Sequence, residues 1–72
     1  MMTLTAIYDR EILRPYEVIR YRVVREDGAE IGYASRYHHD GVSCWRAWRD
    51  DGLRQDTGSR KRAISILMAS AQ

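Results

Sequence analysis

The chain has 72 residues, of which 12 are basic and 10 acidic, giving a net charge of +2, and it carries a single cysteine. That length makes one domain with a small core, since a domain of about 60 residues buries only about 60% of the surface its unfolded chain exposes. A lone cysteine excludes an intramolecular disulfide, no stretch nears the ~18 apolar residues of a membrane span, and +2 falls well short of a histone-like excess.

Met1 to Thr5 combines no charged start with a long apolar run, so no signal peptide is expected. The chain reads as a cytoplasmic protein in a reducing compartment, with no membrane partner. Residues 1–15 are the least patterned. As a helix they would align Leu4, Tyr8 and Ile12; as a strand, Thr3 to Tyr8 offers β-branched and aromatic residues. A short strand or extended arm is the better reading, followed by a turn in which Pro15 pushes Arg14 out of the helical region. Such an arm could cover a sheet edge.

Residues 16–49 read as a three-stranded meander turning at Glu26-Asp27-Gly28 and His39-Asp40-Gly41, because Asp-Gly between alternating runs is a strong hairpin signal. A two-residue turn at Asp27-Gly28 would set Val23 against Gly32 and Tyr21 against Ala34, mixing apolar and charged side chains on each face. A three-residue loop with Gly28 in a bulge sets Val23 against Ile31 and Tyr21 against Tyr33, which separates the faces. The same loop at Gly41 sets Tyr37 against Ser43 and Tyr33 against Ala47. The expected core face is then Ile19, Tyr21, Val23, Ile31, Tyr33, Tyr37, Trp45 and Ala47. The other face carries Val18, Arg20, Arg22, Val24, Glu30, Gly32, Ala34, Arg36, Cys44, Arg46 and Trp48, with Trp48 lying across from Gly32.

Asp50-Asp51-Gly52 marks another turn, and Leu53 to Gly58 is a polar connection with room for one short extended piece. Ser59 fits an N-cap, and Ala63, Ile64, Leu67, Met68 and Ala71 recur at helical spacing, so residues 59–71 form a capped helix. The expected architecture is a single α+β domain, a three-stranded antiparallel β-meander with one C-terminal helix packed on one face.

Two features suggest binding. Arg20, Arg22, Arg36 and Arg46 surround an indole, Trp48, on the expected open face. Arg60, Lys61 and Arg62 occupy the first helical turn, where the macrodipole is already positive, so that corner suits a phosphate as well as it suits plain solvation. Eleven of the twelve basic residues are Arg, which fits coding bias as well as a need for planar, forked cations. Catalytic readings are weaker. His38 and His39 are adjacent and diverge, the aspartates sit in turns where they stabilise backbone, Cys44 has no evident activating base, and Ser35 and Ser43 have no local nucleophile motif. No enzyme, metal or cofactor is expected.

Gly58-Ser59-Arg60-Lys61-Arg62-Ala63, after meandering strands, resembles the end of the double-stranded-RNA-binding domain, where such a run opens the last helix. That resemblance implies phosphate contacts for Arg60 and Lys61; the family's first helix has no counterpart in Leu4 to Leu13. Trp45-Arg46-Ala47, a Gly turn and a basic helix start are also similar to strand-strand-strand-helix modules of phages and mobile elements, including integrase arm-type DNA-binding domains. In those the sheet enters the major groove, which implies that role for Arg20, Arg22, Arg36, Arg46 and Trp48. The expectation is a non-catalytic nucleic-acid-binding module. The rival is a protein-binding module, such as a phage-encoded inhibitor of a host or defence complex, or a homodimer through the same face.

Overall fold

A computed structural model describes residues 3–9 and 15–70. Among them five strands, β1 (Leu4–Tyr8), β2 (Glu17–Arg25), β3 (Glu30–His39), β4 (Val42–Trp48) and β5 (Arg54–Thr57), form one antiparallel sheet in chain order. The helix α1 (Arg60–Ser70) packs on one face. The α+β class and the C-terminal helix are as expected, but the sheet has five strands rather than three. β1 is the edge-covering arm, paired along its whole length with β2. Arg54-Gln55-Asp56-Thr57 has no apolar alternation, and its order comes from backbone pairing with β4, which side-chain pattern does not encode. The relation of Pro15 to Arg14, and the expected helix end at Ala71, lie partly outside the described residues.

The turns at Gly28 and Gly52 are copies of one device. In Arg25-Glu26-Asp27-Gly28-Ala29 the Arg25 N–H bonds to the Ala29 carbonyl, and Gly28 sits at φ 87°. In Arg49-Asp50-Asp51-Gly52-Leu53 the Arg49 N–H bonds to the Leu53 carbonyl. In both, the Asp carboxylate accepts the N–H two residues on and pairs with the Arg two residues back. The expected three-residue loop at Gly28 is therefore present. At the β3–β4 turn the loop has two residues instead: His39 pairs with Val42, and Asp40 and Gly41 both have positive φ, 53° and 79°. That is the turn whose twist suits a two-residue hairpin. Here the residue two before the Asp is His38, which bonds to Ser43 across the ladder and does not brace the turn.

The facing of β3 corrects the sequence reading. Val24 pairs with Glu30, as a three-residue loop requires, but the next pair is Val23 with Gly32, because Ile31 is an extra, bulged residue. Beyond it β3 is turned over. Gly32, Ala34 and Arg36 lie on the helix-covered side, while Tyr33 and Tyr37 lie on the open side. The shorter turn at Gly41 then restores β4, so Trp45 and Ala47 keep the covered side, and Cys44, Arg46 and Trp48 the open side. Trp48 consequently stands across from Tyr33 and not from Gly32.

The physical cause is helix approach. The core is Val23, Ala34, Ala47, Ala63 and Leu67, all fully buried, so small residues floor the covered face and admit the helix closely. A Cβ built on Gly32 would come within 2.8 Å of the Leu67 side chain, the Arg49 side chain and the Trp48 carbonyl. Two tyrosines on this side would hold the helix off. Ser59 caps α1 through its hydroxyl, which accepts the Arg62 N–H at 3.2 Å, and Arg49 reaches Ser70 at the other end.

Candidate functional site

The open face is built around a stacked pair. Tyr33 and Trp48 are cross-strand neighbours with ring centroids 4.4 Å apart and planes at 21°. The Trp48 indole N–H donates to the Ser35 hydroxyl at 2.9 Å, and the Arg20 guanidinium covers both rings, 5.1 Å from Trp48 and 5.6 Å from Tyr33. This covering leaves Trp48 only 5% exposed although it is on the sheet side without a helix. Arg20 is in turn held by Glu17, whose carboxylate accepts from Nε and Nη2, at 2.6 Å for the shortest contact. Residues three apart on a regular strand point to opposite sides. A register shift between Glu17 and Ile19 brings Glu17 and Arg20 to the same side. The hydrogen bonds from Arg20 to Glu17 raise the guanidinium pKa above its ordinary value despite burial. Burial likewise pushes the Tyr33 phenol upward.

Two further guanidiniums of this face, Arg46 and Arg22, are also committed. Arg46 bonds to Asp56 at 2.6 Å and lies over the Tyr37 ring at 4.6 Å. Its hydrogen bond holds the Asp56 carboxyl below the usual range and raises Arg46 itself. Arg22 pairs with the exposed Glu30 at 3.3 Å, and Arg22 Nε is buried without a hydrogen-bond partner among the described residues.

Of the eight residues singled out in sequence, Arg20, Arg22, Arg46 and Trp48 therefore share the open face. Arg36 does not join them. It is exposed in a row running Ile19, Arg36, Trp45, Thr57 on the covered side. Thr57 lies two residues before the N-cap, which places Arg36 at the end of the sheet where α1 begins. Arg60, Lys61 and Arg62 are exposed there, Arg60 over the Tyr21 ring at 4.7 Å. Among the described residues, Arg36, Arg54, Arg60, Lys61 and Arg62 pair with no carboxylate, whereas Arg20, Arg22, Arg25, Arg46 and Arg49 all do.

Sequence reasoning misses Arg54, Tyr37 and Tyr16. Arg54 stands opposite Trp48 on β5 and lines a groove with Tyr37 and Arg46. Its signal would be the strand itself. Tyr37 falls in the core only under the regular register that the bulge at Ile31 breaks, and Tyr16 has no pattern to mark it. Among the described residues no three His, Cys, Asp or Glu side chains gather as a metal site, and no helix is long and apolar enough to cross a membrane. Comparison of the chain with protein families, with characterised proteins and with solved structures finds no match in any of the three.

Proposed function

We propose that this chain is a non-catalytic binding module of the small phage or mobile-element type, and that it docks nucleic acid. The observation that carries this reading is the division of its cations. On the open sheet face Arg20, Arg22 and Arg46 are tied to internal carboxylates and Arg54 is the exception, while Arg36, Arg60, Lys61 and Arg62 are exposed and pair with no carboxylate among the described residues, at the end where α1 begins. An unpaired guanidinium or ammonium releases a counterion when it meets a phosphate; one already bound to a carboxylate must first exchange partners. Free N–H groups and the helix dipole add to the same corner. In this reading Arg60, Lys61, Arg62 and Arg36 hold phosphates, and Arg20, Arg22, Arg46 and Trp48 shape and stiffen the neighbouring sheet face.

A titration with mixed-sequence duplex and single strands at two salt concentrations tests the assignment. Removing one phosphate-binding cation should flatten the dependence of log duplex affinity on log salt by about 0.9. Replacing Arg60, Lys61 and Arg62 by Gln should remove most of the slope, and Arg22→Gln should leave it nearly unchanged. Failure to bind any nucleic acid at low salt refutes the proposal.

One observation favours the rival reading, a protein-binding module such as a phage-encoded inhibitor, or a homodimer. The carboxylate partners leave the sheet face nearly neutral, and Ile7, Tyr8, Tyr16, Val18 and Val42 are large apolar or aromatic side chains in solvent. A module of that kind would bind with little salt dependence.

A further inference from the structure

Tyr16 combines backbone strain with exposure. It has φ 69°, in the left-handed region that bulky side chains avoid, yet its side chain is 60% exposed and so gains little from burial. Its carbonyl accepts the His38 N–H at 2.9 Å, and its ring meets the His39 ring edge-on with centroids 4.0 Å apart, so the conformation is fixed by β3. Strain of this kind collects where a side chain must be presented.

What Tyr16 is presented to is a groove of about 610 Å³ on the open face, running from the paired β4–β5 ladder at Arg46 and Arg54 to the part of β4 that β5 does not reach. Tyr37, Val42 and Cys44 are among its lining, and Val42 is 67% exposed. Tyr16 and His39 contribute on one side, Arg46 and Arg54 on the other. The two cations differ: Arg46 is hydrogen-bonded to Asp56, whereas Arg54 makes no ion pair among the described residues and acts on Asp56 only through its field. Asp40 is the one carboxylate among the described residues of the lining, and it leans toward His39 at 3.5 Å.

An aromatic and apolar lining that ends in an unpaired guanidinium matches a planar ring carrying an anion. We propose that this groove takes one unpaired nucleotide of a single-stranded nucleic acid, its base against Tyr16 and Tyr37 and its phosphate at Arg54. This rests on the nucleic-acid reading and makes it more specific. A base within a duplex is stacked and paired and cannot enter a recess of this kind, whereas a single strand offers its bases freely. A strand leaving the groove over the short β5 edge meets Arg62, which shares a hollow with Asp56, Thr57 and Gly58.

Cys44, the sole cysteine of the chain, is a built-in reporter. The full chain is titrated with a single-stranded homopolymer of about 10 nucleotides and with a duplex of equal length, while the rate of Cys44 alkylation is followed. The single strand should slow alkylation and the duplex should not. Tyr16→Gly, which suits the positive φ and should preserve the fold, should weaken single-strand binding roughly tenfold, the loss of one stacked base, and leave duplex binding unchanged. Arg54→Gln should weaken single-strand binding and flatten its salt dependence by about 0.7. Single-strand binding that leaves Cys44 unprotected, or a Tyr16→Gly loss equal for both nucleic acids, overturns the groove while the wider reading stands. Binding of neither nucleic acid overturns both.

Discussion

Gly32→Ala tests the facing of the central strand more sharply than any other substitution. Gly32 has no positive φ, so the change carries no turn penalty, and on the open face expected from sequence it would be neutral or slightly stabilising. In the structure the added methyl lies 2.8 Å from Leu67 Cδ2, from Arg49 Cγ and from the Trp48 carbonyl oxygen. The first two are side-chain atoms that can shift by rotation, but the third is backbone of a paired strand and can move only with β4. Overpacking of this kind costs about 1–3 kcal/mol, against a gain of about 0.4–1 kcal/mol from the restricted unfolded chain. A net loss of about 1–2 kcal/mol should lower the melting temperature by roughly 5–15 °C in a domain of this size. Circular-dichroism melts read it directly. Gly28→Ala and Gly41→Ala, which have open space around them but positive φ, should each lose about 1 kcal/mol for the different reason of backbone strain. A Gly32→Ala protein that melts at or above the parent temperature would mean that α1 does not sit against β3 as described.

Burial orders the two tryptophans: Trp48→Ala should cost about 3–5 kcal/mol and leave little folded protein, Trp48→Phe about 1–2 kcal/mol through the lost bond to Ser35, and half-buried Trp45→Ala an intermediate amount. Chemical denaturation ranks all three, and a Trp45 loss exceeding that of Trp48 contradicts the burial of Trp48 beneath Arg20. Glu17→Ala strands a guanidinium that is 12% exposed and should cost about 3 kcal/mol, whereas Glu30→Ala, in an exposed pair with Arg22, should cost under about 1 kcal/mol; equal losses would deny Glu17 its role. Asp56, through Arg46, and Asp27 and Asp51, through the Ala29 and Leu53 N–H groups and then their arginines, are held below the ordinary carboxylate range. Each contributes stability that is complete above the unfolded-state pKa of about 3.9 and is lost as pH falls through the lower folded value. The urea midpoint should hold steady down to about pH 5 and drop below about pH 4, with Asp56→Asn showing a shallower drop; an unaltered profile in that variant removes Asp56 from the account.

Periodicity and capping residues carry the helix, the covered positions of β2 and β4, and the Gly28 loop. The register of β3 is not legible in the same way, because it depends on a bulge at Ile31 that no local residue announces. Both candidate facings of β3 are amphipathic in their own way: Tyr33 and Tyr37 on one side, Gly32 and Ala34 on the other. Size decides between them once a helix must lie flat on the sheet, and that is a tertiary constraint. The turn lengths do have a local signal. Arg-acidic-Asp-Gly recurs at Arg25 and Arg49 and builds a three-residue loop each time, while His39-Asp40-Gly41 lacks the Arg and makes a two-residue turn. Two displacements of one residue each, at Ile31 and at Gly41, cancel on β4, which is why a regular register puts Arg46 and Trp48 on the correct side while misplacing the strand between.

The abundance of arginine, open to two explanations in the sequence, acquires a structural cause here. Arg20 forks onto Glu17 while lying over two rings, Arg46 does the same with Asp56 and Tyr37, and Arg60 covers Tyr21. A lysine has one compact charge and cannot both bind a carboxylate bidentately and lie flat on an aromatic face. Arg20 and Arg46 give a small domain a second, polar layer on the side its helix leaves open. Their charge is neutralised in doing so, and a phosphate arriving at the protein meets chiefly the cations that have no such duty. The distribution of ion pairs, more than the count of basic residues, therefore separates the surface that holds the fold from the surface offered to a partner.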